Sequence, residues 1–181
     1  MPAIIHLWIV YAREKALVNM KILVLSDSHS SLRFMRKCIE KTKPDAIVHL
    51  GDYYDDGETL TEAYPHIPIH QVAGNCDRYR CPIHAREMLC YDLGGVKTYM
   101  THGHGEHVKS GVDGLVAAAR RYGAQVALYG HTHIPDCHRE ADGLWVLNPG
   151  AASRSAGILK TDGQAVTACY LLTEQDLEEM V

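Results

Sequence analysis

The sequence predicts an α/β layered domain, and three observations carry the prediction. Short apolar runs recur along the chain, and each ends in a polar phrase rich in Asp, His, Asn and Gly. The runs are strand-length and rich in Val, Ile, Leu and Tyr, as a sheet buried on both faces requires. Stretches with helical apolar spacing separate some of them, and such alternation of strand and helix builds layered α/β domains.

Taken in order, residues 21–25 (KILVL) lead into Ser26-Asp27-Ser28-His29. A helix is predicted over 31–42, where Leu32, Met35 and Ile39 share a face and Pro44 prevents continuation. Residues 46–50 lead into Gly51-Asp52, residues 69–73 into Gly74-Asn75, and residues 96–101 into His102-Gly103-His104. A second helix is predicted over 112–122, with Leu115, Val116, Ala119 and Tyr122 as its stripe and Gly123 as its stop. Residues 126–129 lead into Gly130-His131-Thr132-His133, and 144–147 into Asn148-Pro149-Gly150. The runs 144–147, 157–160 and 166–171 read as consecutive strands, with a turn at Asp162-Gly163, so a mixed or second sheet is expected.

Composition bounds the function. The 181 residues suit one domain, here residues 20–181, with Met20 opening the first strand and residues 1–19 as an N-terminal extension. That extension is either an upstream start or an additional packed element. Its apolar stretch, 4–12, is far shorter than the roughly 20 residues that span a bilayer, and it fits a secretory signal poorly. No membrane association is expected. With 46% apolar and 22% charged residues and a formal charge of −4, the chain is globular and has no basic field for a nucleic-acid backbone. The six cysteines form no C-x-x-C pair and read as reduced thiols of a cytoplasmic protein.

The polar phrases carry the chemistry. Positions 27, 52, 75, 102 and 131 are separated by 25, 23, 27 and 29 residues, close to one strand–helix unit each time. Because open α/β sheets bind ligands at strand carboxyl ends, these loops are expected to meet at one rim. The donors are two carboxylates (Asp27, Asp52), one amide (Asn75) and four imidazoles (His29, His102, His131, His133). Oxygen and nitrogen donors without thiolate suit Mn, Fe, Zn, Ni or Co. Extended backbone would put Asp27 and His29 on one face, and likewise His131 and His133. Seven donors are too many for one such ion but serve two divalent cations if Asp52 bridges, an arrangement recurrent in displacement at phosphorus.

In order and spacing, the phrases D-S-H, G-D, G-N-C-D, H-G-H and G-H-T-H resemble those of the calcineurin-like metallophosphoesterases. The closer likeness is to the small single-domain phosphodiesterases of bacteria and archaea, and it covers residues 21–152. The resemblance implies a four-layer αββα sandwich. It implies one metal on Asp27, His29, Asp52 and His133 and the other on Asp52, Asn75, His102 and His131, with Mn the leading expectation. It further implies hydrolysis of a small phosphodiester by a metal-bridging hydroxide, without a covalent enzyme intermediate. Where most of the larger family has His in G-N-H-[DE], this chain has Cys76, so the leaving-group acid is open; Cys76 and His104 are the candidates. Asp77 is expected to orient His102 or another ligand. Arg78 and Arg80 are candidate phosphate contacts that read more simply as surface residues. His49 reads as a packed strand histidine, and His66, His70, His84, His107 and His138 as surface.

A rival reading is a protein-interaction scaffold of the same fold, although every expected ligand is present here. A phosphomonoesterase or nuclease at the same site is a second rival. Family members are often dimers or tetramers, so a homo-oligomer is compatible with the resemblance.

Overall fold

The computed structural model describes residues 19–79 and 81–180; the apolar stretch 4–12 and Arg80 lie outside the described residues. Alternation along the first strand, β1 (Met20–Leu25), sets the layering. Ile22 and Val24 enter one buried cluster, whereas Leu23 and Leu25 enter another. A strand fully buried on both faces belongs to an inner layer.

Around β1 stand β2 (Ala46–His49) and β3 (Ile69–Gln71), paired parallel, with β9 (Ser155–Thr161) and β10 (Val166–Thr173) antiparallel on the other side. The first sheet therefore runs β10-β9-β1-β2-β3. The second contains β4 (Met88–Leu93), β5 (Val96–Thr101), β6 (Val126–Leu128), β7 (Asp136–Arg139) and β8 (Trp145–Asn148), in the order β4-β5-β6-β8-β7. Between the sheets, Ile22, Val24, Val48 and Leu50 meet Met100, Leu128 and Leu147. Burying one such aliphatic side chain contributes roughly 1.5–3 kcal/mol.

Helices cover the outer faces. Phe34, Met35 and Ile39 of α1 (Leu32–Thr42), Leu60 of α2 (Tyr54–Ala63) and Leu177 of α4 (Glu174–Glu179) join Leu23, Ile47 and Ile158 of the first sheet. Leu115, Val116 and Ala119 of α3 (Asp113–Arg121) join Tyr99, Ala127 and Val146 of the second. The architecture is a four-layer αββα sandwich, as the resemblance implies.

One expectation changes. The interval from Asn75 to His102 holds no strand–helix unit; it holds the antiparallel hairpin β4–β5, with which the chain enters the second sheet. The three late runs are consecutive strands as expected and serve two mixed sheets: β8 lies between β6 and β7, while β9 and β10 form a hairpin in the first sheet. Asp162 closes that hairpin by accepting from the backbone N–H groups of Gln164 and Ala165. Among the described residues, no helix is long and apolar enough to cross a membrane.

Candidate metal centre

The predicted donors all follow strands at their carboxyl ends. Asp27 and His29 leave β1, Asp52 follows β2, and Asn75 opens a single 3-10 turn after β3. His102 and His104 leave β5, and His131 and His133 leave β6. Two sheets thus contribute donors to one rim.

Asp27, His29, Asp52 and His133 each present a ligand atom, all within 4.8 Å of one another. His133 Nε2 lies 3.1 Å from Asp27 Oδ1, and the Nε2 atoms of His29 and His133 are 3.5 Å apart. Beside this group, His102 Nε2 stands 3.2 Å from Asn75 Oδ1 and 3.5 Å from Asp52 Oδ1. The His131 ring lies edge-on to His102, with centroids 5.0 Å apart. Asp52 faces both sets: Oδ1 toward His102, and Oδ2 toward His29 Nε2 at 4.0 Å.

The backbone at these donors is not extended, contrary to the pairing argument from strand geometry. Asp27, His29, Asp52, His131 and His133 all have positive φ, between 43° and 68°. The D-x-H and H-x-H pairs therefore lie on tight left-handed turns. His131 also separates from His133, standing against His102 and His104, whereas His133 joins Asp27 and His29. Neighbouring glycines permit the crowding. A Cβ on Gly51, itself at φ +90°, would collide with the backbone of Gly74, so the Asp52 and Asn75 loops cross in contact. A Cβ on Gly130 would collide with Ser26 Oγ and come within 2.8 Å of Asp27 Oδ2.

Buried polar groups hold these turns. Asp77 accepts from the backbone N–H groups of Asp52 (3.0 Å), Tyr53 (2.7 Å), Tyr54 (2.8 Å) and Gly74 (2.7 Å). It thereby fixes the Asp52 loop at the start of α2, where a carboxylate is favourable to the helix dipole. It does not orient His102; that imidazole donates from Nδ1 to the Leu50 carbonyl at 2.7 Å, which turns Nε2 toward Asn75 and Asp52. Sequence reasoning missed Asp56, whose Oδ2 accepts from Ser28 Oγ (2.7 Å) and Ser30 N–H (2.8 Å), bracketing His29. It also missed Asn148, whose Nδ2 donates to the Gly130 carbonyl and to Thr132 Oγ1, fixing the His131 loop. The only hint of that role was the N-P-G phrase.

Charge is tuned around the donors. Burial works against ionised Asp52, yet His102, the Cys76 N–H and thiol, and His29 together hold its carboxyl below the usual carboxylate range. Burial, with His102 and Lys109, lowers His131 against the opposing pull of Asp27 and Asp52. A neutral imidazole and an ionised carboxylate are the forms that bind cations. Cys76 is exposed at the edge of the site. Partial burial and the Asp52, Asp77 and Asp27 carboxylates push its thiol up to about 11. His104 lies 5.6 Å from His102, ring to ring, and helps line a cavity of about 590 Å³ with Asn75, Arg78, Cys81, Ile83 and Glu87.

Among the remaining histidines, His49 is buried as expected, with Nε2 3.2 Å from Ser28 Oγ. Two of the histidines read as surface are partly buried and have partners. His70 Nδ1 lies 2.6 Å from Tyr91 Oη, and His138 lies between Asp136 (3.0 Å) and Glu140 (3.4 Å). His66, His84 and His107 are exposed.

The donor set fits divalent cations. Asp27 Oδ1 is buried and accepts no hydrogen bond, although it faces His133 and His102. A buried carboxylate oxygen without a donor is costly unless positive charge occupies its front. Mixed carboxylate, amide and imidazole donors suit transition-metal dications.

The comparisons with known proteins agree with this chemistry. Residues 20–176 match the family model of the calcineurin-like phosphoesterase superfamily domain. A probable metallophosphoesterase of Mycoplasma pneumoniae is 30% identical over 134 residues, covering 72% of this chain and 78% of its own. Phosphodiesterase MJ0936 of Methanocaldococcus jannaschii is 27% identical over 147 residues, covering 72% of this chain and 83% of its own. A solved structure from Streptococcus pneumoniae, described as a predicted phosphoesterase, aligns with a TM-score of 0.66 and 26% identity over 88% of this chain and 100% of its own. Vacuolar Protein Sorting 29 from Cryptosporidium parvum shares the fold at 16% identity, with a TM-score of 0.64 over 86% of this chain and 99% of its own.

Proposed function

The chain belongs to the calcineurin-like phosphoesterase superfamily, and from that membership we propose that it hydrolyses a small phosphodiester at a centre of two divalent cations. The observation that carries the reading is Asp52, one carboxylate whose two oxygens face an imidazole of each donor set, His102 at 3.5 Å and His29 at 4.0 Å. In this reading Asp27, His29, Asp52 and His133 hold one cation, and Asp52, Asn75, His102 and His131 hold the other. Mn is the leading candidate, and Ni, Co, Fe or Zn suit the same donors. Bound there, the cations would acidify a water and offset charge on the phosphoryl oxygens.

The protein's own groups prepare the site. Asp77 and Asp56 fix the turns that carry Asp52 and His29, and the Leu50 carbonyl aims His102. The cavity beside Asn75 and His104 has the size of a small-ligand pocket and receives the leaving group. Its proton comes from Cys76 or His104. A thiol held near 11 is a weak acid for this purpose, so good leaving groups are favoured. The named phosphodiesterase among the relatives supports a diester over a monoester. Residues 20–181 act as one domain in this reading, and six cysteines spread along the chain with no C-x-x-C pair support a cytoplasmic location.

The test is a panel of aryl phosphodiesters, aryl phosphomonoesters and cyclic nucleotides, each run with Mn, Ni, Co, Zn and Mg. Diester hydrolysis should depend on an added cation and fall at least ~100-fold in Asp52→Asn with every cation. Tight metal binding with no hydrolysis of any ester would defeat the reading in favour of a scaffold. Faster turnover of monoesters would move the activity to that class.

A further inference from the structure

A pair of cysteines lies at the edge of the sandwich. Cys137 on β7 and Cys169 on β10 place their sulfurs 3.2 Å apart. The two strands belong to different sheets, and each is the terminal strand of its sheet. The sulfurs therefore meet across the open edge of the sandwich, half-buried at the margin of the apolar layer between the sheets. From this geometry we infer that Cys137 and Cys169 are a redox-active dithiol, reversibly oxidised by peroxides or small-molecule disulfides to a disulfide that ties β7 to β10.

Three features support the assignment. A bonded sulfur pair is about 2.05 Å apart, so closure needs an approach of roughly 1.2 Å. Terminal strands have one unpaired side and can absorb such a shift without breaking a ladder. The pair also divides the labour of oxidation. The hydrogen bond shared with Cys169 lowers the Cys137 thiol, with His138 assisting, against burial and Asp136; the same bond, with burial, raises Cys169. Cys137, the less buried of the two and next in sequence to His138, is the attacking thiolate and Cys169 the resolving thiol. By contrast, Cys38 is buried, and that burial pushes its thiol up to about 12.

With hydrogen peroxide, the Cys137 thiolate breaks the O–O bond, forms an S–O bond and expels hydroxide, which takes up the proton that Cys137 released. The Cys169 sulfur then displaces the hydroxyl group from the Cys137 sulfenic acid, and its own proton leaves with that group as water. Two thiols lose two electrons and two protons in total, and one peroxide becomes two waters. The bond would also restrain the exit of the His131–His133 loop. That loop runs into β7, where Asp136 accepts from Tyr129 Oη at 3.0 Å.

The full chain, reduced and freed of metal by chelator, would be treated with hydrogen peroxide or oxidised glutathione. Intact mass should fall by about 2 Da, and peptide mapping should recover a Cys137–Cys169 cross-link. The bond closes a loop of 32 residues, so the thermal midpoint should rise by roughly 5–15 °C. Dithiothreitol should reverse both changes. Neither Cys137→Ser nor Cys169→Ser should form an internal disulfide or gain the thermal shift. A cross-link between other cysteines, an unchanged mass in the untreated-to-treated comparison, or a persistent adduct on Cys137 with Cys169 left free would each overturn the inference.

Discussion

Asp77→Asn tests whether one buried carboxylate organises the metal rim. Its side chain is fully buried. Oδ1 accepts from Tyr53 N–H at 2.7 Å and Tyr54 N–H at 2.8 Å, and Oδ2 from Gly74 N–H at 2.7 Å and Asp52 N–H at 3.0 Å. Asparagine keeps one acceptor oxygen and turns an NH₂ group toward the other two donors, so two charge-assisted hydrogen bonds are lost whichever way the amide is set. Each is worth about 1.5–3 kcal/mol when the orphaned group stays buried. Allowing for local relaxation, the expected loss is about 3–5 kcal/mol. Urea unfolding in chelator, followed by circular dichroism, would show it as a midpoint lower by roughly 1.5–2.5 M at unchanged slope. Asp45→Asn is the control, because exposed Asp45 accepts a single bond among the described residues, from the Lys21 N–H at 2.7 Å; it should cost less than about 1 kcal/mol. If Asp77→Asn were as mild as that control, the turns would be held by something other than this carboxylate.

Three further outcomes follow from the same geometry. Gly130→Ala should cost about 1–3 kcal/mol by forcing a Cβ against Ser26 Oγ; Ser26→Ala in the same chain should recover part of it, and equal losses in the single and double variants would exclude that clash. Burial keeps His49 neutral, with its pKa below the usual 6.5. The unfolded chain therefore takes up the proton first, so stability is full above about pH 6.5 and falls by up to about 1.4 kcal/mol per unit below it; denaturation midpoints in chelator from pH 8 to 5 should lose this component in His49→Gln, and an unchanged profile would refute the assignment. Finally, Mn or Zn at 100 times its dissociation constant should stabilise the protein by about 2.7 kcal/mol, read as a rise in thermal midpoint that disappears in Asp52→Asn.

The legible parts of this protein were those written in local pattern. β1 and β5 were visible because hydrophobicity continues through them, and the donors stood out because each follows such a run. α2 was not visible, for a physical reason: YDDGETLTEA buries Tyr54, Asp56, Gly57 and Leu60, so half of its inner face is a carboxylate and a glycine. β7 (DCHR) is a polar edge strand whose side chains pair with one another, giving no alternation to read. β4, and with it the pairing to β5, escaped because the spacing between Asn75 and His102 fits a strand–helix unit as well as it fits two strands. Positive φ at Asp27, Asp52 and His131 left no mark either, since nothing short of a glycine announces a left-handed residue. The roles of Asp77, Asp56 and Asn148 depend on contacts made across the fold, which no window along the chain contains.

The distribution of strain bears on what the rim is for. Of nine non-glycine residues with positive φ among the described residues, five are the candidate donors Asp27, His29, Asp52, His131 and His133. Each such conformation costs on the order of 1–3 kcal/mol and persists only where surrounding structure enforces it. The enforcing bonds cross the joint between the sheets: His102 donates to Leu50 O at 2.7 Å, and the His131 N–H donates to Asp27 Oδ2 at 3.0 Å. Asp27 Oδ1 meanwhile remains buried without a donor. Judged by folding stability alone, the positive φ values and the unpartnered oxygen are unfavourable, and simple substitutions would relieve them. Their concentration on one rim makes sense if the strain holds lone pairs from two sheets within coordination distance of common ions, whose binding then offsets the cost.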